Sequence, residues 1–316
     1  MSRSTRSGGA RDADVGEWVA ATLTDSAEGE VAEVPTWRLR EVSVRPKLRD
    51  YVSQLWDRRH FIMADSRAKA FGTTRGTVLG RVWLILNPFL DAAVYWVIFG
   101  LLLGTSRGVE NFIGYLVVGV NFFPMLQKGL SAGGSIIPGS KNVMRAFSFP
   151  RASVVFSWGI RNLLDFLPTY LATLVFLVVV PQADGTHILP SLSWILSVPA
   201  LLLGWLFGLG LAFLTASLTA RAPDLKFIWP LIGRFWFYGS GVFFNIERIQ
   251  DSHSEVYQIF TANPGHEFLW VLREILVYNR VPSPGHWAYL AAWALGMMIL
   301  GFVVFWSHEE SYSREH

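Results

Sequence analysis

Apolar residues fill long runs along most of this chain, and short basic or glycine-rich segments separate them. A helix needs ~20 predominantly apolar residues to cross a ~30 Å hydrocarbon core. Six stretches approach that scale: Val82–Leu103, Phe112–Leu130, Ser153–Val180, Leu192–Ala216, Phe227–Phe244 and Trp287–Trp306. The pattern predicts an all-α membrane protein with six transmembrane helices. Asn87-Pro88 stands early in the first stretch, where the missing amide predicts a kink or a shifted start.

Ahead of the first span the pattern changes. Leu48, Tyr51, Val52, Leu55 and Trp56 share one helical stripe, with Lys47, Arg49, Asp50, Asp57 and Arg58 off it. Phe61, Ala64, Ala68 and Phe71 continue the apolar spacing. From Arg58 to Arg81 there are six Lys or Arg residues, with Asp65 as the only acid. This predicts an N-terminal interfacial amphipathic helix. A surface helix of a soluble domain is the competing reading. Between Asn245 and His286, Val256–Ala262 and Glu267–Tyr278 predict two short helices broken at Asn263-Pro264-Gly265. They read as re-entrant helices before the last span, or as a small extracellular hairpin.

Lys and Arg in short loops set orientation. The N-terminal flank is basic, as are the loops carrying Lys141, Arg145 and Arg151, then Arg221 and Lys226, whereas 181–190 has neither Lys nor Arg. Both termini are therefore expected in the cytoplasm. Residues 1–36, rich in Ser, Gly, Ala and acids, read as a disordered cytoplasmic tail. The expected organisation continues with a cytoplasmic segment at 37–81, a transmembrane domain at 82–307 and a C-terminal cytoplasmic tail at 308–316.

Composition agrees. Charged residues are 16% of the 316, against about 25% in soluble domains, and apolar residues are 52%. Mean hydropathy is +0.35. The absence of Cys excludes disulfides, thiolate zinc sites and Cys nucleophiles. The pI of 9.2 is explained by the basic loops, and with a net charge of +3 it does not call for nucleic acid.

Two catalytic patterns fail on context. Gly129-Leu130-Ser131-Ala132-Gly133 matches a hydrolase nucleophile elbow but ends an apolar span rather than a strand. Gly134 to Lys141 approaches a phosphate-binding loop but reads Gly139-Ser140-Lys141, and no strand precedes it. Asp251, His253 and Glu255 alternate along an outer loop and read as solvated. Gly100 and Gly104, then Gly204 and Gly208, have the spacing of close helix packing.

Ionisable residues inside spans are costly and are functional candidates by default. Asp91 lies in the first span, Arg161 and Asp165 sit one turn apart in the third, Arg234 lies near the cytoplasmic end of the fifth, and Lys128 ends the second. Structural pairing competes with function for each, and for Arg161 and Asp165 it is favoured. Around Arg234 cluster Phe235, Trp236, Phe237 and Tyr238, and Trp83, Tyr95 and Trp96 lie on the first span. Such rings offer flat surfaces on which sugars stack. Lipid-facing packing accounts for them equally well.

Several stretches carry a resemblance to a known family. FIMADSRAKAFGTTRGTVLGRVWLILNPFL at 61–90 is similar to a basic interfacial helix followed by R-G-S-V-L-G-x-x-W-x-x-x-x-P. KNVMRAFSFPR at 141–151 is similar to L-I-x-K-x-x-F-P-R, and Asn263-Pro264 matches an N-P before the last outer helix. Arg221, Asp224 and Pro230 resemble an R-D-x-x-x-x-x-P loop, although Arg221-Ala222-Pro223-Asp224 stands where Arg-Tyr-Arg-Asp is common. Together, over about residues 47–310, the chain resembles the membrane subunit of ABC-2 type polysaccharide exporters, which move O-antigens, teichoic acids and cell-wall galactan.

The resemblance implies a non-enzymatic permease in the bacterial inner membrane. It implies a homodimer with two copies of a cytoplasmic ABC ATPase. ATP and Mg would sit on that partner, with no cofactor bound by this chain. Lys141, Asn142, Arg145, Phe147 and Arg151 would form the ATPase coupling loop. The cargo would be a polyprenyl-diphosphate-linked polysaccharide. Its diphosphate suits Arg81, Lys128 and Arg234, and Trp83, Tyr95, Trp96, Phe235, Trp236 and Tyr238 would line the glycan channel. The alternatives are an ABC-2 exporter of small hydrophobic molecules, a membrane enzyme of lipid-linked glycan synthesis and a scaffolding membrane protein.

Overall fold

The computed structural model describes residues 47–70, 80–98, 111–140, 144, 150–180, 187–246 and 254–309. Ten α-helices stand among them. The predicted interfacial helix is two helices, α1 (Leu48–Asp57) and α2 (Arg59–Lys69), which meet at Arg58. The bundle follows as α3 (Gly80–Trp96), α4 (Phe112–Gly139), α5 (Ala152–Val179), α6 (Ser197–Arg221) and α7 (Leu225–Tyr238). A 3-10 turn at Leu192–Leu196 leads into α6. Two short helices, α8 (Ser254–Thr261) and α9 (Pro264–Leu276), precede α10 (Pro284–Ser307). No strand occurs among the described residues.

The centre of the bundle is α6, packed most extensively on α4 and α10. It is placed there by residues without bulk. A Cβ built on Gly129 of α4 would overlap the Gly208 carbonyl of α6, and one on Gly301 of α10 would overlap the Gly210 carbonyl. Only hydrogen at these positions lets the backbones touch. Of the predicted small-residue pairs, Gly204 and Gly208 do face neighbours, Phe268 and the Met125 backbone. Gly100 and Gly104 lie outside the described residues.

Among the described residues, three helical stretches are long and apolar enough to cross a membrane: Ala152–Val179, Leu192–Arg221 and Pro284–Ser307. Their bounds follow the predicted third, fourth and sixth spans. The other three differ. With 28 residues, α4 is ample in length, but Asn121, Gln127 and Lys128 dilute its apolar character, and it runs on through Pro124 past the predicted end at Leu130. The helix α3 has 17 residues and passes through Asn87-Pro88 without a break. The predicted fifth span stops as a helix at Tyr238 after 14 residues. At ~1.5 Å per residue that is about 21 Å. The cause is Gly239-Ser240-Gly241, where Gly241 takes φ +67° and the chain turns.

The two short helices form as predicted, broken at Asn263-Pro264. The second starts at Pro264, three residues early, because Asn263 Oδ1 accepts the Gly265 amide at 2.9 Å and Pro264 occupies the first turn. Phe268, Leu269, Val271, Leu272, Ile275 and Leu276 of α9 are all buried. The tail at 1–36 lies outside the described residues, as do most of the C-terminal 308–316 and part of 37–81.

The N-terminal helix pair is docked on the bundle. Tyr51 of α1 is buried, and its hydroxyl accepts the Ala152 amide at 3.1 Å. Burial, followed by the nearby Glu309 carboxylate, pushes the Tyr51 phenol well above its ordinary range, so it stays neutral. Ser66 of α2 donates to Ile62 O or Ser157 O, and Ser157 Oγ donates to Asp65. Val52, Trp56 and Met63 stay exposed on the far side.

Candidate functional site: two cavities flanking one helix

The helix α4 borders two cavities, which adjoin at Ser131. The first, of about 440 Å³, lies between α3, α4 and α7. Asp91, Gln127, Arg234, Phe237 and Tyr238 line it. Asp91 and Arg234 thus share one cavity, yet no ion pair joins them among the described residues. The outward face of α7 continues from this cavity. Phe227, Leu231, Arg234, Phe235 and Tyr238 recur at helical spacing and are exposed, Phe235 at 72% and Tyr238 at 52%. On α3, Val82, Trp83, Leu86 and Leu90 are exposed as well. A cation set in an apolar stripe that no described residue covers is unusual for a surface facing lipid alone.

The aromatic group on α7 divides by face. Phe235 and Tyr238 point outward. Trp236 packs inward, edge-on to Phe123 at 4.9 Å and tilted on Phe207 at 6.0 Å. Its indole Nε1 donates to Asn263 Oδ1 at 2.8 Å, and Asn263 Nδ2 donates to Gly239 O and Ser240 Oγ. So the Asn-Pro motif fastens the end of α7 to the start of α9. Trp83 is exposed, while the side chains of Tyr95, Trp96 and Arg81 lie outside the described residues.

The second cavity, of about 600 Å³, lies between α2, α4 and α5. Lys69, Lys128 and Arg161 line it together with Asp65 and Asp165. Here Arg161 Nε meets Asp165 at 3.4 Å, the predicted one-turn pair, and Lys69 meets Asp65 at 2.7 Å. The structure therefore separates two of the predicted phosphate cations. Lys128 lines this cavity and Arg234 the other.

Lys141, Asn142, Arg145 and Phe147 lie outside the described residues. Arg151, at the head of α5, contacts the residue that follows α10: its amide donates to Glu309 Oε1 at 2.9 Å and its guanidinium to Glu309 O. Ser131 of the elbow-like motif sits mid-helix, with Gly129 and Gly133 packed on α6, which is not an elbow. Asp251 and His253 lie outside the described residues, and no cluster of metal-binding side chains occurs among those described.

One residue escaped the sequence reading. Arg273 of α9 is 2% exposed. Its guanidinium donates to Tyr115 O at 3.3 Å, Gly241 O at 3.1 Å and Val242 O at 3.2 Å, and lies 3.3 Å from the Tyr115 ring centroid. The Tyr115 hydroxyl lies 2.8 Å from both Gly241 O and Phe244 O and donates to either. Together they hold the turn that ends α7, whose carbonyls have no helical partners. A signal was present: Leu269, Leu272, Arg273 and Leu276 share one apolar stripe.

No family model matches the chain. It is 22% identical over 262 residues to the O-antigen export system permease protein RfbA of Myxococcus xanthus, spanning 83% of this chain and 97% of that protein. Two proteins of the same name from Klebsiella pneumoniae are 29% identical over 195 residues and 27% identical over 236. These cover 60% and 73% of this chain, and 70% and 85% of the relatives. The resemblance carried by the sequence motifs is borne out: this multi-pass helical membrane protein is similar, over most of its length, to the permeases of O-antigen export systems.

Proposed function

We propose that this chain is the permease subunit of an ABC transporter that exports a lipid-linked polysaccharide across the bacterial inner membrane. The carrying observation is the α3–α4–α7 cavity, where Asp91, Gln127 and Arg234 stand with the rings of Phe237 and Tyr238, while Phe235 is exposed on the same helix. Polar groups that hydrogen-bond hydroxyls beside rings that stack on sugar faces suit a glycan. A second copy covers the exposed α3 and α7 faces, and the glycan passes between the copies.

In this reading α3, α4 and α7 complete six spans, with both termini inside. The short length of α7 is made up by the turn that Arg273 holds and by α8 and α9, which return into the outer leaflet region. Backbone of that kind is tolerated where protein covers it, as the buried face of α9 supports. Residues 139–151 dock a separate ATPase that supplies the energy. Arg234, with Arg81, receives the diphosphate of the carrier lipid.

The test is export by Arg234→Ala and Tyr238→Ala variants, scored as surface polysaccharide per unit of protein in the membrane. Both are expected to lower export several-fold at unchanged protein level. Export equal to that of the unaltered protein in both variants would contradict the cavity's role.

A further inference from the structure

The cavity between α2, α4 and α5 has a charge arrangement that its own residues leave incomplete. Its two carboxylates are engaged, Asp65 by Lys69 and Ser157, Asp165 by Arg161. Lys128 makes no hydrogen bond or ion pair among the described residues, yet it projects into this cavity from the interior of a 28-residue helix. Three cations against two carboxylates leave one positive charge. Lys128 is an exposed side chain that Asp165 attracts without a direct ion pair, so an anion can reach it, and the excess positive charge beside Arg161 and Lys69 favours one there.

The position of the cavity says where a counter-ion would come from. One wall is α2, which lies with α1 beside the bundle and leaves Trp56 and Met63 exposed on an amphipathic surface. Such a pair belongs at the boundary between headgroups and acyl chains. Phosphate groups are concentrated there. Ser131, Ser135 and Asn162 add neutral hydrogen-bonding groups to the lining. Lys128 offers three donors on a flexible stem, and Arg161 a planar fork that already spends one edge on Asp165.

We infer that this cavity binds the phosphate group of an anionic lipid headgroup, with Lys128 as its principal ligand and Arg161 and Lys69 beside it. A phosphodiester carries one negative charge and balances the cavity. The site differs in its charged lining from the one assigned to cargo, which it adjoins at Ser131, and the inference rests on membrane placement alone, whatever the cargo. Because Lys69 is shared with Asp65, occupancy also bears on how firmly α2 holds to α5.

The test is titration of the detergent-solubilised protein with phosphatidylglycerol, followed by native mass spectrometry. Lys128→Gln removes the excess charge and is expected to weaken binding about tenfold. Asp165→Asn adds one positive charge and is expected to tighten it. Misfolding cannot produce both directions. Lys226→Gln, on the loop side of α7, is expected to leave binding unchanged. Inorganic phosphate is added as a competitor at millimolar concentration: displacement of the lipid assigns the site to phosphate in general, and persistence of the lipid assigns it to the headgroup with its chains. Equal lipid binding by the unaltered protein, Lys128→Gln and Asp165→Asn, or an equal loss in Lys226→Gln, would overturn the inference.

Discussion

Trp236 donates its indole N–H to the Asn263 side-chain carbonyl at 2.8 Å, which ties the aromatic end of α7 to the helix that begins at Pro264. A residue whose type suggests sugar stacking is thereby committed to the interior, and its outward neighbours Phe235 and Tyr238 carry the exposed ring surface. Consecutive helical positions differ by ~100°, so adjacent aromatics need not share a face.

That division predicts different outcomes for neighbouring substitutions. Trp236→Ala empties a packed site beside Phe123 and Phe207 and is expected to cost ~3–5 kcal/mol. Trp236→Phe keeps much of the packing and loses a hydrogen bond, about 1 kcal/mol. Phe235→Ala is expected to leave the melting temperature of the detergent-solubilised protein nearly unchanged. Thermal unfolding followed by Trp-independent light scattering checks the order Trp236→Ala, Trp236→Phe, Phe235→Ala.

Arg273 is expected to be among the least replaceable residues. Arg273→Ala strands the carbonyl of Val242, at ~1–3 kcal/mol if buried and unpaired, and removes one partner from those of Gly241, which also accepts the Tyr115 hydroxyl, and of Tyr115, which lies within α4. Arg273→Lys recovers part of this, since an ammonium cannot reach three carbonyls in the plane of a fork. Gly119→Ala tests the same contact from the other side, because a Cβ there would stand 2.7 Å from Arg273 Nη2. All three are expected to lower the yield of folded protein, with Arg273→Lys least affected.

Helix contacts predict a third contrast. Gly129→Ala and Gly301→Ala push the backbones of α4 and α10 away from α6, whereas Gly296→Ala meets nothing within 4 Å. The first two are expected to destabilise by several kcal/mol, in the range of overpacked cores. Gly296→Ala is expected to be neutral or slightly favourable through helix propensity. Melting temperatures in one detergent compare them.

Most of the helices were legible in the sequence because long apolar runs leave the backbone little alternative to helix inside a bilayer. The limits of α5 and α10 followed closely, while α6 begins after the 3-10 turn at Leu192–Leu196 and runs on past the expected end at Ala216 to Arg221. The end of α7 did not, because Phe243 and Phe244 extend the apolar run past Gly239-Ser240-Gly241, and the groups that hold the turn, Tyr115 and Arg273, are distant in sequence. The site was half legible. Arg234 and Tyr238 could be named from residue type and place, but the assignment of Lys128 to a different cavity depends on which side of α4 it leaves. Nothing in a run of residues records that before the neighbours are in place.

The proposed coupling to an ATPase has its own test. Reversing charge at Lys141 and Arg145, to Glu at both, is expected to leave the permease folded and to abolish stimulated export, since a coupling loop must be gripped differently in the partner's two states. ATP hydrolysis and export are measured together in the assembled transporter. Normal export with both charges reversed would remove 139–151 from that role.

The central claim, export of a lipid-linked polysaccharide, is tested most directly by depleting this protein and quantifying lipid-linked polymer on each side of the inner membrane. Accumulation on the cytoplasmic side with depletion at the surface is the predicted result. Loss of polymer on both sides would point to a synthetic enzyme, and unchanged polymer on both sides to a different cargo; either would contradict the assignment.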